Sequence, residues 1–401
     1  MRPPLPEAPA SIFPVFFVQA FMVFCLFFAL LFDVAELALF SLFILAMGTG
    51  SYLWSRVSLN HVNCKIALNT TRLFPDEKLK ISIQAINAKL LPVLFKVDLF
   101  THGSITGSGR DQWLREEICL FWFQRSVISR ELFPDKRGVY NLGPPILRGG
   151  DLFGFFFKNR AAEERFEVVV YPRIVAIMPI AHPKREFFGL PGMRSPIEDP
   201  CHIFGTRDYQ AGRPARRIHW KASARHNRLQ EKLCEPAQQE KILILLDVDQ
   251  FENTHAEEDF EKSLEVIASL VLDLDRRGIA VGFATNGSIS GSGSRLIPMS
   301  RNPMQAASIL EALARAVASK AGPVTDILSE GYKIPWGVSS IYFACSRCEQ
   351  TRRAGAFMQY RNIPVRFVLA QKPDTAETTD DEQEQHTFYL ENLLAPENRK
   401  R

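Results

Sequence analysis

Lys241-Ile242-Leu243-Ile244-Leu245-Leu246-Asp247-Val248-Asp249 is an unbroken apolar run that ends in two carboxylates. A strand of this kind is buried on both faces, as in a parallel sheet covered by helices. Downstream the period becomes helical. Over Phe260–Arg276, the residues Leu264, Ile267, Ala268, Val271 and Leu274 recur at the spacing of one helix face. Gly278 supplies a stop. Ile279–Ala284 reads as a strand, Asn286–Ser294 as a Gly/Ser loop and Pro303–Val317 as a helix with proline near its start. Val338–Ala344 and Val365–Leu369 read as further strands with a helix between them, and Phe388–Leu394 as a short helix. The alternation of β and α over residues 241–371 predicts a doubly wound, mostly parallel sheet. Ligands of such sheets sit beyond the carboxyl ends of the strands, which singles out Asp247 and Asp249.

Immediately upstream the chain is strongly basic. Arg207, Arg213, Arg216, Arg217, Lys221, Arg225, Arg228 and Lys232 are opposed only by Asp208 and Glu231. Guanidinium forks hold carboxylates or phosphates with paired bonds, and Tyr209, His219 and Trp220 offer ring faces beside them. Ile218–Leu229 contains no Gly or Pro and reads as a short helix. The arginines have two readings: an internal clamp of ion pairs, or a surface for a partner or ligand. Residues 179–200 carry Pro179, Pro183, Pro191, Pro196 and Pro200, and read as a connector without regular structure.

Further upstream, residues 57–175 alternate with period two, as in Val62–Leu68 and Leu79–Ala85, with turn chemistry at Pro75-Asp76 and Gly103–Gly109. Ile118–Phe123 is another strand candidate. This pattern predicts a small β-sandwich. Phe153, Phe155, Phe156 and Phe157 read as packing residues, with a membrane-touching loop as the alternative.

At the N-terminus, Ile12–Phe32 is apolar apart from Gln19, and Leu37–Trp54 is nearly as long. Two such runs joined at Asp33–Glu36 predict a transmembrane hairpin. A cleaved signal peptide and a buried core hairpin are the rival readings. Arg2, Arg56 and Lys65 flank the pair while the turn carries no Lys or Arg, so the positive-inside rule places both termini and residues 56–401 in the cytoplasm. The chain has 401 residues, a formal net charge of +4 and seven cysteines without framework spacing. That charge does not point to nucleic acid, and the cysteines suit a reducing compartment.

The run Gly205–Tyr209 through Arg216–Arg225 resembles the signature of the "domain of unknown function 58" family. So do Arg137–Pro144 with Asp151–Phe155, and Val168–Arg173. The resemblance implies a membrane-anchored multidomain protein of the bacterial inner membrane: a transmembrane hairpin (1–55), a β-sandwich domain (56–178), a Pro-rich connector with the signature (179–240), a von Willebrand A-like α/β domain (241–371) and an acidic, polar tail (372–401). It also implies a MoxR-type AAA+ ATPase as partner. The von Willebrand A fold carries a metal site that begins Asp-x-Ser-x-Ser. Here Asp247 matches, while Asp249 and Phe251 stand at the serine positions, so Mg²⁺ at Asp247 and Asp249 would lack two hydroxyl ligands. Arg213 and His219 stand where the family has acidic residues.

Other chemistry finds little support. Cys345-Ser346-Arg347-Cys348 is a lone pair, whereas zinc needs four ligands. His219 and Ser223 could meet on a helix, but a serine nucleophile also needs an orienting acid and an oxyanion site. No G-x-S-x-G, H-E-x-x-H or P-loop motif occurs. The expectation is therefore a non-catalytic, membrane-tethered interaction protein without a cofactor. Its partner-binding residues are Arg207, Tyr209, Arg216, Arg217, His219, Trp220 and Lys221. A metal-dependent ligand-binding protein or enzyme using Asp247 and Asp249, and a basic segment that touches anionic lipid, are the alternatives.

Overall fold

The computed structural model describes residues 12–101, 112–179, 198–210, 212–236, 240–253, 256–291, 293–320, 322, 334–335, 337–371 and 387–394. The Gly103–Gly109 turn, most of the Pro-rich connector, the acidic tail and the basic C-terminus lie outside these residues. The chain divides into two compact units, residues 1–172 and 173–401.

The first unit opens with helices α1 (Ile12–Leu31) and α2 (Ala35–Ser58). They pack side by side. A Cβ at Gly48 would lie 2.2 Å from Gln19 Nε2, so this glycine makes room for the one polar side chain of the first apolar run. α2 is long and apolar enough to cross a membrane and is mostly unburied, while the apolar stretch Val15–Leu31 is shorter.

Ten strands follow: β1 (Val62–Leu68), β2 (Arg72–Leu73), β3 (Leu79–Asn87), β4 (Val93–Thr101), β5 (Gln112–Leu120), β6 (Arg125–Leu132), β7 (Gly138–Leu142), β8 (Ile146–Gly150), β9 (Phe157–Ala161) and β10 (Phe166–Val170). One sheet has the order β1-β3-β6; the other runs β2-β10-β7-β4-β8-β9, with β5 on β4. The inward residues of both sheets, among them Ile81, Ile83, Phe95, Val97, Leu120, Leu142 and Val168, share one core. Period-two alternation is clearest in β3, whose burial alternates along its whole length. Inside this layer buried Asp98 is charge-paired, with Arg148 Nε 2.8 Å from its Oδ2, although the two atoms do not meet with hydrogen-bond geometry.

α2 joins this sandwich directly. Gly149 of β8 lies under its last turn, where a Cβ would come within 2.8 Å of Leu59 and of Ser58 Oγ. Ser58 Oγ is 2.8 Å from the Gly149 carbonyl. Trp54 Nε1 donates to Pro92 O at 2.8 Å. Asp151 has no exposed surface. Its carboxylate accepts bonds from Ser51 Oγ (3.1 Å) and from the amides of Phe153 (3.1 Å), Phe155 (3.4 Å) and Phe156 (2.8 Å). One carboxylate therefore shapes the Phe-rich loop and ties it to α2.

The second unit contains a hairpin and an α/β layer. The hairpin strands are β11 (Glu198–Asp208) and β12 (Gln230–Pro236), with a 3₁₀ turn at Ala215–Arg217 and helix α3 (Trp220–His226) between them. Then come β13 (Lys241–Leu246), α4 (Asp249–Asn253), α5 (Glu257–Arg276), β14 (Ala280–Thr285), β15 (Gly287–Ile289), β16 (Leu296–Ser300), α6 (Gln305–Arg315), β17 (Ala316–Lys320), β18 (Val338–Ala344), α7 (Glu349–Tyr360), β19 (Val365–Leu369), β20 (Thr387–Tyr389) and α8 (Leu390–Leu393). The main sheet has the order β16-β14-β13-β18-β19-β20, parallel except for β16 at one edge. Numbered by rank along the chain, this is the 3-2-1-4-5-6 order of a doubly wound sheet.

Four sequence expectations need correction, the first being the helix read over Phe388–Leu394, which opens as strand β20 on β19 and turns helical at Leu390. The connector reading ends early, because β11 begins at Glu198 and includes Pro200. Cross-strand pairing in this hairpin outweighs the local cost of proline, as edge strands allow. The Gly/Ser loop contains β15, which pairs with β17. The helix expected over Pro303–Val317 stops at Arg315, where Ala316 turns extended to enter that pair.

Asp151→Ala leaves three amide donors and a serine hydroxyl without their acceptor. The expected loss is about 2–3 kcal/mol, measured by chemical denaturation of the full-length protein in detergent.

Candidate functional site

The register of the β11–β12 hairpin sets the first cluster. It places Arg207 opposite Glu231 and Asp208 opposite Gln230. Glu231 has no exposed side-chain surface. Arg213 Nη1 donates to it at 2.7 Å, and Arg207 Nε and Arg217 Nη1 approach at 3.4 Å each. Burial alone would raise the Glu231 carboxyl. Hydrogen bonds from Arg213, Arg207 and Arg217, with the charge of Arg207, outweigh it and hold the carboxyl below the usual range. Asp208 accepts bonds from Arg228 (3.1 Å) and from Gln230 Nε2 (2.6 Å). Glu231 therefore draws three arginines to a buried site, while Asp208 pairs with Arg228 at the surface.

The rest of the segment caps and closes the hairpin. His219 Nδ1 accepts the Ala222 amide at 3.1 Å, which makes it the N-cap of α3. Asn227 ends α3 in the left-handed conformation. Ser223 Oγ donates to the His219 carbonyl at 3.0 Å and accepts the Gln230 amide at 2.8 Å. The hydroxyl is thus committed to backbone, and no bond joins it to the imidazole. The Tyr209 hydroxyl donates to the Arg213 carbonyl. Four of the candidate residues therefore shape the hairpin, Arg207, Tyr209, Arg217 and His219, together with Arg213, which bonds Glu231 directly.

Arg216, Trp220 and Lys221 stand differently. All three are exposed, with Arg225 beside them on α3, and Trp220 keeps 69% of its surface in solvent. Residues 220, 221, 224 and 225 fall on one side of a helix. This side presents an indole beside two cations.

The second cluster lies at the carboxyl end of β13. The strand order reverses there, between β14 and β18, which is where doubly wound sheets place ligands. Asp247 and Asp249 are both buried. Asp247 Oδ1 accepts bonds from the Asp249 amide (3.2 Å) and Asn286 Nδ2 (2.7 Å), and its Oδ2 accepts the Tyr342 hydroxyl at 2.6 Å. Asn286 Nδ2 also reaches Asp249 Oδ1 at 3.2 Å, while its carbonyl accepts the Val248 amide at 2.7 Å. Burial, then the negative charge and hydrogen bond of Asp247, push the Tyr342 hydroxyl far up. Phe251, fully buried, packs edge-on against Phe260. This arrangement does not fit a cation: hydrogen-bond donors face Asp247 from both sides, and an aromatic ring fills the position of the second serine. No three His, Cys, Asp or Glu side chains are grouped to hold a metal among the described residues. Asn286 and Tyr342 escaped the sequence reading. Asn286 stood inside a presumed loop, and Tyr342 read as one more core residue of a strand.

The lone Cys345 and Cys348 are unbridged at the turn from β18 into α7, the first buried and the second half-buried.

Comparison with known proteins bears on this unit. Residues 205–330 match the family described as "Protein of unknown function DUF58". This segment is a DUF58 domain. The match begins within β11 and extends past β17, so it takes in the first cluster and Asp247, Asp249 and Asn286 of the second, while Tyr342 lies beyond it. No curated protein matches the chain. Solved structures overlap it weakly. A β-glucosidase from Listeria innocua in complex with isofagomine is 15% identical over 27% of this chain and 16% of its own, with a TM-score of 0.19. The CARDB domain of a Pyrococcus furiosus protein in complex with di-metal ions is 13% identical over 27% of this chain and 91% of its own, also at 0.19. The Pseudomonas fluorescens DNA glycosylase AlkC is 10% identical over 32% and 38%, at 0.20. The chain thus spans about a sixth of the glucosidase's length, and none of these likenesses carries an activity to this chain.

Glu231→Gln is expected to cost about 1–3 kcal/mol, because it removes the acceptor shared by three guanidinium groups. The folded carboxyl is depressed, so its contribution is fully present above the unfolded value of about 4.5 and is lost as pH falls through the folded value. The gap in Tm between wild type and Glu231→Gln therefore narrows in acid. The charge-reversed pair Arg216→Glu/Lys221→Glu, on exposed side chains, changes stability by less than about 0.5 kcal/mol. Millimolar Mg²⁺ leaves the Tm of the wild type unchanged, whereas a cation held at Asp247 would raise it.

Proposed function

We propose that the protein is a membrane-tethered docking protein rather than an enzyme. It would be held by the α1–α2 hairpin in the bacterial cytoplasmic membrane, with its remaining chain in the cytoplasm. The carrying observation is the split within the basic segment. Arg207, Arg213 and Arg217 converge on Glu231, while Arg216, Lys221 and Arg225 flank exposed Trp220. Exposed cations around an aromatic anchor suit an acidic surface on another protein. The family resemblance makes a MoxR-type AAA+ ATPase the partner to test.

Two observations support the tether. α2 has the length and hydropathy of a span, and large apolar side chains along both helices, including Phe16, Phe27, Leu39 and Phe43, are exposed. The α/β layer supports a von Willebrand A-like reading through its 3-2-1-4-5-6 order with an antiparallel edge strand. In that reading the Asp247–Tyr342–Asn286 network stands in place of the metal site and keeps the face closed.

The test is affinity purification of the tagged full-length protein from its native membrane. An AAA+ ATPase is expected to co-purify with wild type and to be lost with Arg216→Glu/Lys221→Glu, at unchanged Tm. Equal recovery with the double variant would remove the docking role from this face.

A further inference from the structure

The last turns of α2 are enclosed by loops of the sandwich. Loop 88–92 meets the helix through Trp54 Nε1 on Pro92 O, and through Lys89 Nζ on the Val57 carbonyl (2.6 Å) and the Ser58 carbonyl. Loop 121–124 is joined to loop 88–92. Asn87 Nδ2 donates to Leu91 O (2.9 Å) and Phe121 O (2.8 Å), and the Phe123 amide donates to Lys89 O (3.2 Å). Loop 151–156 meets the helix at Ser51 through Asp151 and at Tyr52, whose ring lies edge-on to Phe156.

These loops point large apolar side chains outward. Leu90 is 73% exposed, Trp122 61%, Phe123 68% and Phe153 59%, and Phe121 and Leu152 are also exposed. Their one carboxylate, Asp151, is buried. Lys158 and Arg125 lie exposed at the loop ends, and Arg56 stacks over Tyr52. Clustered aromatic and basic residues of this kind suit the layer between water and acyl chains.

Helix length sets the level. The 24 residues of α2 rise about 36 Å, and a bilayer core takes about 30 Å, or some 20 residues. The collar contacts fall between Ser51 and Ser58, where the helix leaves that core. Phe123 adds an independent sign. Its φ of 52° is left-handed turn geometry, where Gly or Asn would sit without strain. The chain holds a phenylalanine there with its ring in solvent.

We propose that loops 88–92, 121–124 and 151–156 form a collar seated in the interfacial layer of the bilayer that α2 crosses. Their apolar tips enter among the acyl-chain ends, and Lys158, Arg125 and Arg56 meet lipid phosphates. The collar rests on the tether reading of α2. It makes the sandwich a rigid foot on the membrane rather than a domain on a loose stalk.

The test uses full-length protein in phosphatidylcholine/phosphatidylglycerol nanodiscs, made with and without brominated acyl chains. Wild type is compared with Trp122→Phe, one of five tryptophans. The emission lost in the variant should be blue-shifted, quenched by bromolipid and shielded from iodide, while exposed Trp220 serves as the iodide-accessible control. Emission from Trp122 that iodide quenches and bromolipid does not would overturn the collar. Shielding from both quenchers, with a cross-linked dimer, would overturn it in favour of a contact between copies. Alkaline carbonate extraction separates the two readings. Extractable protein sinks the tether itself, whereas resistant protein with a water-exposed Trp122 sinks the collar alone.

Discussion

A carboxylate removed from water must be met by donors, and four buried carboxylates organise this chain. Asp98 is matched by Arg148 inside the sandwich. Asp151 gathers three backbone amides and a helix serine. Glu231 gathers three arginines. Asp247 is held by a tyrosine, an asparagine and an amide. Unpaired, each would carry a desolvation cost of several kcal/mol. Paired, each fixes the path of the segments that supply its donors. Asp151 and Asp247 sit where a strand ends, whereas Asp98 and Glu231 lie within strands β4 and β12.

The same requirement divides the basic segment. A run of eight cations against two acids looks like one surface when written as a line. In the hairpin, antiparallel register brings Arg207 across from Glu231, and the turn brings Arg213 and Arg217 to the same carboxylate. The clamp reading therefore applies to some of the arginines, and the docking proposal rests on the others. The clamp uses Arg207, Arg213 and Arg217, and the outward face uses Arg216, Lys221 and Arg225 around Trp220. Side chains one position apart, Arg216 and Arg217, fall on opposite sides of this division.

What was legible in the sequence followed periodicity. The apolar run Ile242–Leu246, the helical spacing of Leu264 to Leu274 and the alternation of Leu79–Ala85 became β13, α5 and β3 with small shifts at their ends. Strands Val338–Ala344 and Val365–Leu369 matched residue for residue. Pairing partners were not legible, because they depend on contacts distant in sequence. β11 carries Pro200 and reads as connector, yet β12 pairs with it. β15 is three residues in a Gly/Ser stretch and exists through β17. At the second cluster Asp247 and Asp249 announced themselves by position. Tyr342 lies 95 residues further on and reaches Asp247 only because β18 is the neighbour of β13.

The two outward surfaces differ in how their cost is met. Trp220 stands on a short, well-capped helix whose backbone is unstrained, so its exposure costs only the contact of one indole with water. Phe123 is exposed and also held in a backbone region that bulky residues avoid. Its amide bond to Lys89 and the Gln124 side chain on the Phe121 amide secure the turn, but a glycine would accept the same bonds. Among the described residues of the first unit its ring, and those of Trp122 and Phe153, stay more than half exposed, even though Trp122 meets Phe121 and Phe153 stacks on Phe155. Local rules broken together, at loops that converge on the end of an apolar helix, point to a compensating contact outside the fold. A lipid interface supplies it without shape complementarity, because it requires only apolar tips, nearby cations and a fixed depth. The bonds between α2 and the loops provide that depth.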